Sequence, residues 1–143
     1  MRRRDAVVIS AVVAHVLTWV VGLWLVVGPV YQGVSETAVI PGGVASESTS
    51  FTATLIEVNG LIVLPWLMVP VALTTLALLA ALIRGVGLTK RRVLLWVSSV
   101  LLLGFCAVAI ASIGLLYLPA AVALIVSAIT GSPRMLVRER RPE

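Results

Sequence analysis

His15 is the one side chain within the apolar tracts of this sequence that can take up or release a proton near neutral pH. An imidazole in such a setting has two uses. It can pass protons or bind a ligand, or it can stay neutral and tie two helices together through a Ser or Thr hydroxyl. The hydroxyls are at hand: Ser10, Thr74, Thr75, Ser98, Ser99, Ser127 and Thr130 fall, like His15, within about 14 Å of one surface when the tracts are read as helices, and Thr18 stands one turn further along from His15. At about 100° per residue His15 shares a face with Ala11, Thr18 and Gly22, which turns it toward a bundle interior. The candidate intramembrane polar site is therefore His15, Thr18, Thr74, Thr75, Ser98 and Ser99, and hydrogen-bonded packing is preferred over a proton relay for His15.

Other chemistry lacks its residue types. Cys106 is the single cysteine, so intramolecular disulfides, CxxC redox pairs and multi-cysteine metal sites are excluded, and a small packing residue is the plainer reading. A lone histidine without Asp or Glu beside it falls short of the three or four ligands a tetrahedral metal requires. Glu57 and Asn59 stand just outside the second apolar tract, where a solvated approach to a helix accounts for them. No catalytic, cofactor-binding or metal-binding constellation is recognisable, and the expectation is a non-enzyme without cofactor.

The elements that must position these residues belong in lipid. The chain has 143 residues, of which 60% are apolar and only 12% charged. Its mean hydropathy is +1.13, whereas soluble domains carry about 45–50% apolar and about 25% charged residues. Crossing a bilayer takes roughly 20 apolar residues, and four tracts qualify, at about 6–30, 61–83, 93–113 and 115–131. The first exceeds a secretory h-region of about 7–15 residues and is followed by no good small-x-small cleavage site, so it reads as an uncleaved helix. Gly28 and Pro29 should end it, with Tyr31 at the interface. Pro65 and Pro70 should kink the outer half of the second span, and Gly85 to Arg92 reads as a basic turn. From Val93 to Gly131 a single helix would measure roughly 58 Å, nearly twice the hydrocarbon thickness. Two crossings are predicted instead, reversing at Ser112-Ile113-Gly114, with Tyr117 at the interface and Pro119 early in the last helix.

Charge sets the orientation. The eleven basic residues flank the spans in three clusters: Arg2, Arg3 and Arg4; Arg84, Lys90, Arg91 and Arg92; and Arg134, Arg138, Arg140 and Arg141. Four spans place all three clusters on one side, and the loop 31–60, with Glu36, Glu47 and Glu57 but no Lys or Arg, on the other. By the positive-inside rule both termini, including the tail 132–143, are cytoplasmic and the membrane is the inner (plasma) membrane. Despite a pI near 10.7, basic residues confined to span flanks do not form a nucleic-acid surface. In the exported loop, Gln32 to Ile40 and Ser48 to Val58 are strand-like around the turn Pro41-Gly42-Gly43. The predicted fold is an all-α membrane protein, a four-transmembrane-helix bundle in one domain, whose short exported loop is compatible with a β-hairpin.

Small residues recur at helical spacing in three spans: Ser10, Ala14, Thr18 and Gly22; Gly104, Ala107, Ala111 and Gly114; Ala120, Ala123, Ser127 and Gly131. Such stripes let helices approach closely where lipid is as apolar as leucine. Gly22, Gly104, Ala107, Ala111, Ala123 and Ser127 are assigned to helix packing. The Leu and Val faces, with Trp66 and Trp96 near opposite interfaces, are left for lipid or another protein.

Gly22-Leu23-Trp24, a strand-rich exported loop and four spans look superficially like the claudin layout. Claudins carry that motif in the exported loop, followed by a cysteine pair; here the motif is intramembrane and the pair is missing, which excludes the family. The layout is similar to that of small uncharacterised four-span membrane proteins of high-GC bacteria, and ten arginines against one lysine fit such a genome. That resemblance is one of organisation alone. The functional expectation is an accessory or scaffold subunit acting through helix and exported-loop contacts, with the lipid bilayer and a membrane-protein partner or further copies of itself as neighbours. The alternative is a small oligomeric transporter or channel using the polar layer around His15.

Overall fold

The structure, a computed structural model, describes residues 3–36, 48–83, 87–109 and 113–131. Helix α1 (Arg3–Val27) is followed by strands β1 (Pro29–Glu36) and β2 (Ser48–Thr54). A short helix α2 (Leu55–Asn59) and a 3-10 turn (Gly60–Ile62) lead into α3 (Val63–Leu82). Helix α4 (Leu88–Val108), a second 3-10 turn (Gly114–Tyr117) and α5 (Leu118–Gly131) complete the chain. Among the described residues four helical stretches are long and apolar enough to cross a membrane: Arg4–Val27, Leu55–Leu82, Leu88–Val108 and Gly114–Gly131.

Each boundary has a local cause. Pro29 brings no N–H to extend α1 and disfavours helical backbone at Gly28, so the chain leaves the helix there and enters β1 at once. Strands β1 and β2 pair antiparallel, with Gln32 opposite Thr52 and Gly33 opposite Phe51. The Phe51 ring lies over Gly33 so closely that a Cβ at residue 33 would sit 2.5 Å from the ring. The expected turn at Pro41-Gly42-Gly43 lies outside the described residues.

Three expectations need correction. The strand-like stretch predicted to reach Val58 stops at Thr54, because Thr54 and Glu57 form a capping box that starts a helix: the Glu57 N–H donates to Thr54 Oγ1 at 3.2 Å and the Thr54 N–H to Glu57 Oε2 at 2.6 Å. The basic turn before residue 93 is shorter than expected, since α4 already begins at Leu88; Lys and Arg are good helix formers, and Thr89 to Arg92 join the first turn. Both prolines lie in α3, but Pro65 falls in its first turn, where a missing N–H costs little, so only Pro70 interrupts the interior, and the helix continues through it.

Contacts close the helices into a four-membered ring: α1 packs against α5 and α3, and α4 against α3 and α5. Neighbours run antiparallel, as contacts at the end that holds Arg4 attest. The Arg4 guanidinium donates to the Leu82 carbonyl at 3.4 Å, and a Cβ on Gly131 would touch both Leu95 and Val7. The reversal before α5 rests on Gly114, whose N–H donates to the Ala109 carbonyl at 2.7 Å and where a Cβ would lie only 2.3 Å from the Cys106 carbonyl oxygen. The core comprises Val7, Ala11, Ala14, Leu25, Leu67, Ala77, Leu95, Leu102, Leu124 and their neighbours.

Tyr117 turns into the bundle: it is fully buried, stacked edge-on against Phe105 with ring centroids 5.9 Å apart. The stripes also divide. Ala14, Thr18, Gly22, Ala120 and Ser127 face inward, with Ala123 half-buried, whereas Gly104 and Ala107 lie on the exposed side of α4, and a Cβ on Gly104 would meet nothing within 4 Å. The helices joined to α4 use its Leu95, Ser98, Ser99, Leu102 and Cys106 face instead. Ala111 lies outside the described residues.

Candidate functional site

The helix ring brings His15 of α1 against Thr74 of α3. Nδ1 of His15 lies 3.2 Å from Thr74 Oγ1, and the Thr74 hydroxyl also reaches the carbonyls of Pro70 and Val71, at 3.0 and 3.1 Å. One turn along α1, Trp19 Nε1 donates to His15 Nε2 at 3.1 Å. The two rings meet nearly perpendicular, at 85° and 6.4 Å between centroids. His15 is half-buried, Thr74 fully buried and Trp19 exposed on the outer face of α1. By helical rise His15 sits about 17 Å from Arg4, near the middle of α1.

The remaining polar residues are spent locally. Thr18 donates to Ala14 O at 2.8 Å, Thr75 to Val71 O at 2.7 Å and Ser99 to Leu95 O at 2.8 Å, all one turn back on their own helices. This back-bonding hides a hydroxyl from lipid without committing it to another element. Ser10 does the same toward Ala6 and Val7, and Thr130 toward Val126. Ser127 is different, because its hydroxyl crosses from α5 to the Val7 carbonyl of α1 at 3.0 Å. Ser98 is buried without a hydrogen-bond partner among the described residues, and so is the Tyr117 hydroxyl, which lies against Gly22.

The six residues of the candidate polar site are thus not one cluster. His15 and Thr74 meet; Thr18, Thr75 and Ser99 turn to their own backbones, and no hydrogen bond joins Ser98 to His15. Trp19 was not among the candidates, although its i+4 spacing from His15 puts it on the same face and was readable. Among the described residues no three His, Cys, Asp or Glu side chains lie close enough together to hold a metal ion. Between α4 and the start of α5 an apolar groove of about 180 Å³ is lined by Leu103, Cys106, Ala107, Gly114, Leu115 and Leu118, which offer no charged group. At the other end of the chain's chemistry, Asn59 donates from Nδ2 to the Tyr31 hydroxyl at 3.2 Å and to the Leu55 carbonyl at 3.1 Å, fastening β1 to the entry of the second span.

No protein-family model matches this chain, and neither a curated protein nor a solved structure matches it.

Proposed function

We propose that this chain is a non-enzymatic four-span protein of the inner (plasma) membrane, an accessory or scaffold subunit whose partner is another membrane protein or a further copy of itself. Both termini face the cytoplasm and the β1–β2 hairpin faces outward, in keeping with the distribution of Arg, Lys and Glu. The observation that supports an associative role is how the polar groups are used: His15 with Thr74 and Ser127 with Val7 join helices, while Thr18, Thr75 and Ser99 are tied to their own backbones. The hairpin adds a contact surface. Two strands alone are marginal in water, so docking against a neighbour would stabilise β1 and β2.

A small oligomeric transporter or channel is the second reading, favoured by the position of the His15–Trp19 pair near mid-span with Trp19 on the outer face. Crosslinking in native membranes followed by purification separates the two. A scaffold co-purifies with one different membrane protein in fixed ratio and leaves liposomes ion-tight; proton or ion flux from the purified chain alone would overturn that reading. Orientation is checked separately by replacing Cys106 with Ala and labelling new cysteines at residues 46 and 132. Labelling from opposite sides is expected, and labelling from the same side would refute the four-span arrangement.

A further inference from the structure

We propose that His15 and Trp19 form a proton-sensitive latch on α1, in which adding a proton to the imidazole releases the Trp19 ring and leaves the α1–α3 hydrogen bond in place. The argument begins with what each group can donate. An indole N–H only donates, so His15 Nε2, 3.1 Å from Trp19 Nε1, carries no hydrogen. The neutral ring then holds its hydrogen on Nδ1 and donates it to Thr74 Oγ1 at 3.2 Å. Thr74 in turn donates its own hydrogen to the carbonyl of Pro70 or Val71. The chain runs in a single direction because its ends are fixed: the first group can only donate and the last can only accept.

An imidazolium donates from both nitrogens. The Nδ1–H bond to Thr74 survives protonation, but the new Nε2–H points at the Trp19 N–H, and two donors cannot share a bond. One of the two rings must move. Thr74 is fully buried and holds His15 from the α3 side, whereas Trp19 is 42% exposed on the outer face of α1. Trp19 is therefore the group that swings. Turning the indole so that its face rather than its N–H edge meets the ring sets the negative side of the aromatic quadrupole against the new charge. The latch is closed while His15 is neutral and opens as acid charges it.

No other charged or titratable group faces the pair among the described residues. Arg3, Arg4 and Asp5 lie at the far end of α1; α3 has none from Val63 to Leu82, and α5 none from Leu118 to Gly131. On α4, Lys90, Arg91 and Arg92 are at the basic end, and Cys106 is at the opposite one. The Tyr117 hydroxyl lies against Gly22, about 10 Å further along α1 by helical rise. Glu57 is engaged in the Thr54 cap beside the hairpin. His15 is also the single histidine in the sequence, so its titration is observable without interference from another imidazole.

The test uses the full chain in liposomes with Trp24, Trp66 and Trp96 replaced by Phe, leaving Trp19 as the single tryptophan, excited at a wavelength that tyrosine does not absorb. From about pH 8 to about pH 5, its emission should change in a single-proton step while the helical circular dichroism stays constant. In the same background His15→Gln should abolish the step. A flat response in the His15 protein, a step that persists in His15→Gln, or a loss of helix accompanying the step would each overturn the latch. Nitrogen NMR of the wild-type chain with labelled histidine gives an answer that needs no substitution. A ring protonated at Nδ1 and bare at Nε2 near pH 8 is expected, and the opposite tautomer would end the proposal.

Discussion

The Ser127 hydroxyl donates to the Val7 carbonyl at 3.0 Å, a bond between residues 120 positions apart that fastens α5 to α1 deep in the bundle. The Ser10 hydroxyl also reaches Val7 O, at 3.2 Å, but lies closer to Ala6 O at 2.8 Å, so Ser127 is the nearer side-chain donor to the Val7 carbonyl. Replacing Ser127 with Ala should cost about 0.6 kcal/mol and no more than about 1.7 kcal/mol, the range for interhelical hydrogen bonds in membranes. Ser99→Ala, which removes only a bond to Leu95 of the same helix, is expected to cost less. Denaturant unfolding in mixed micelles measures both, and an equal loss from the two would mean that the Ser127 bond does not join the helices energetically.

Tyr117 presents the opposite case. Its ring is buried against Phe105, but its hydroxyl has no hydrogen-bond partner among the described residues. Removing an unsatisfied buried hydroxyl relieves a desolvation cost, so Tyr117→Phe should leave stability unchanged or raise it by about 1 kcal/mol. Tyr117→Ala, which empties the space beside Phe105, should lower it by about 3 kcal/mol or more. Thermal unfolding of the two variants in one detergent reads the contrast, and a destabilised Tyr117→Phe would reveal a partner for the hydroxyl.

Two glycines on the α4–α5 hairpin should respond in opposite ways. Gly104 faces outward with open space around its Cβ position, so Gly104→Leu should fall within about 0.5 kcal/mol of wild type, the usual scale for a surface change. Gly114 has no room for even one carbon, with the Cys106 carbonyl 2.3 Å from the Cβ position, and Gly114→Ala should cost at least about 1–3 kcal/mol. If Gly104→Leu proved the more damaging of the pair, the exposed side of α4 would have to be a packing surface.

At the hairpin end, the Thr54 and Glu57 cap holds the junction of β2 and α2. Thr54→Ala removes the side-chain acceptor for the Glu57 N–H and should cost about 1 kcal/mol, as other helix caps do. Hydrogen exchange at residues 55–59 should quicken while α3 stays protected. Exchange unchanged at those amides would show that the cap is not what holds α2.

By itself the sequence determined the four spans, the reversal near Gly114 and the strand content of the hairpin. Those features are local: about twenty apolar residues fill a bilayer whatever their neighbours are, and Gly28-Pro29 ends a helix on its own chemistry. The start of α2 was readable too, from the Thr54 and Glu57 spacing, although the run of Thr, Leu, Ile and Val around it mimics a strand. The rotation of α4 was not readable. In a water-soluble bundle a polar face marks the outside, but in lipid both faces of α4 are apolar, and Gly104 with Ala107 forms as good a stripe as any that packs. Only the assembled ring decided that Gly104 faces out while Gly22 and Ser127, assigned to packing with it, face inward. The same holds for His15. Its type announced an intramembrane polar group, but choosing Thr74 and Trp19 from eight nearby hydroxyls and four tryptophans required the antiparallel register of α1 against α3, which is set by packing along both helices and not by any residue near His15 in sequence.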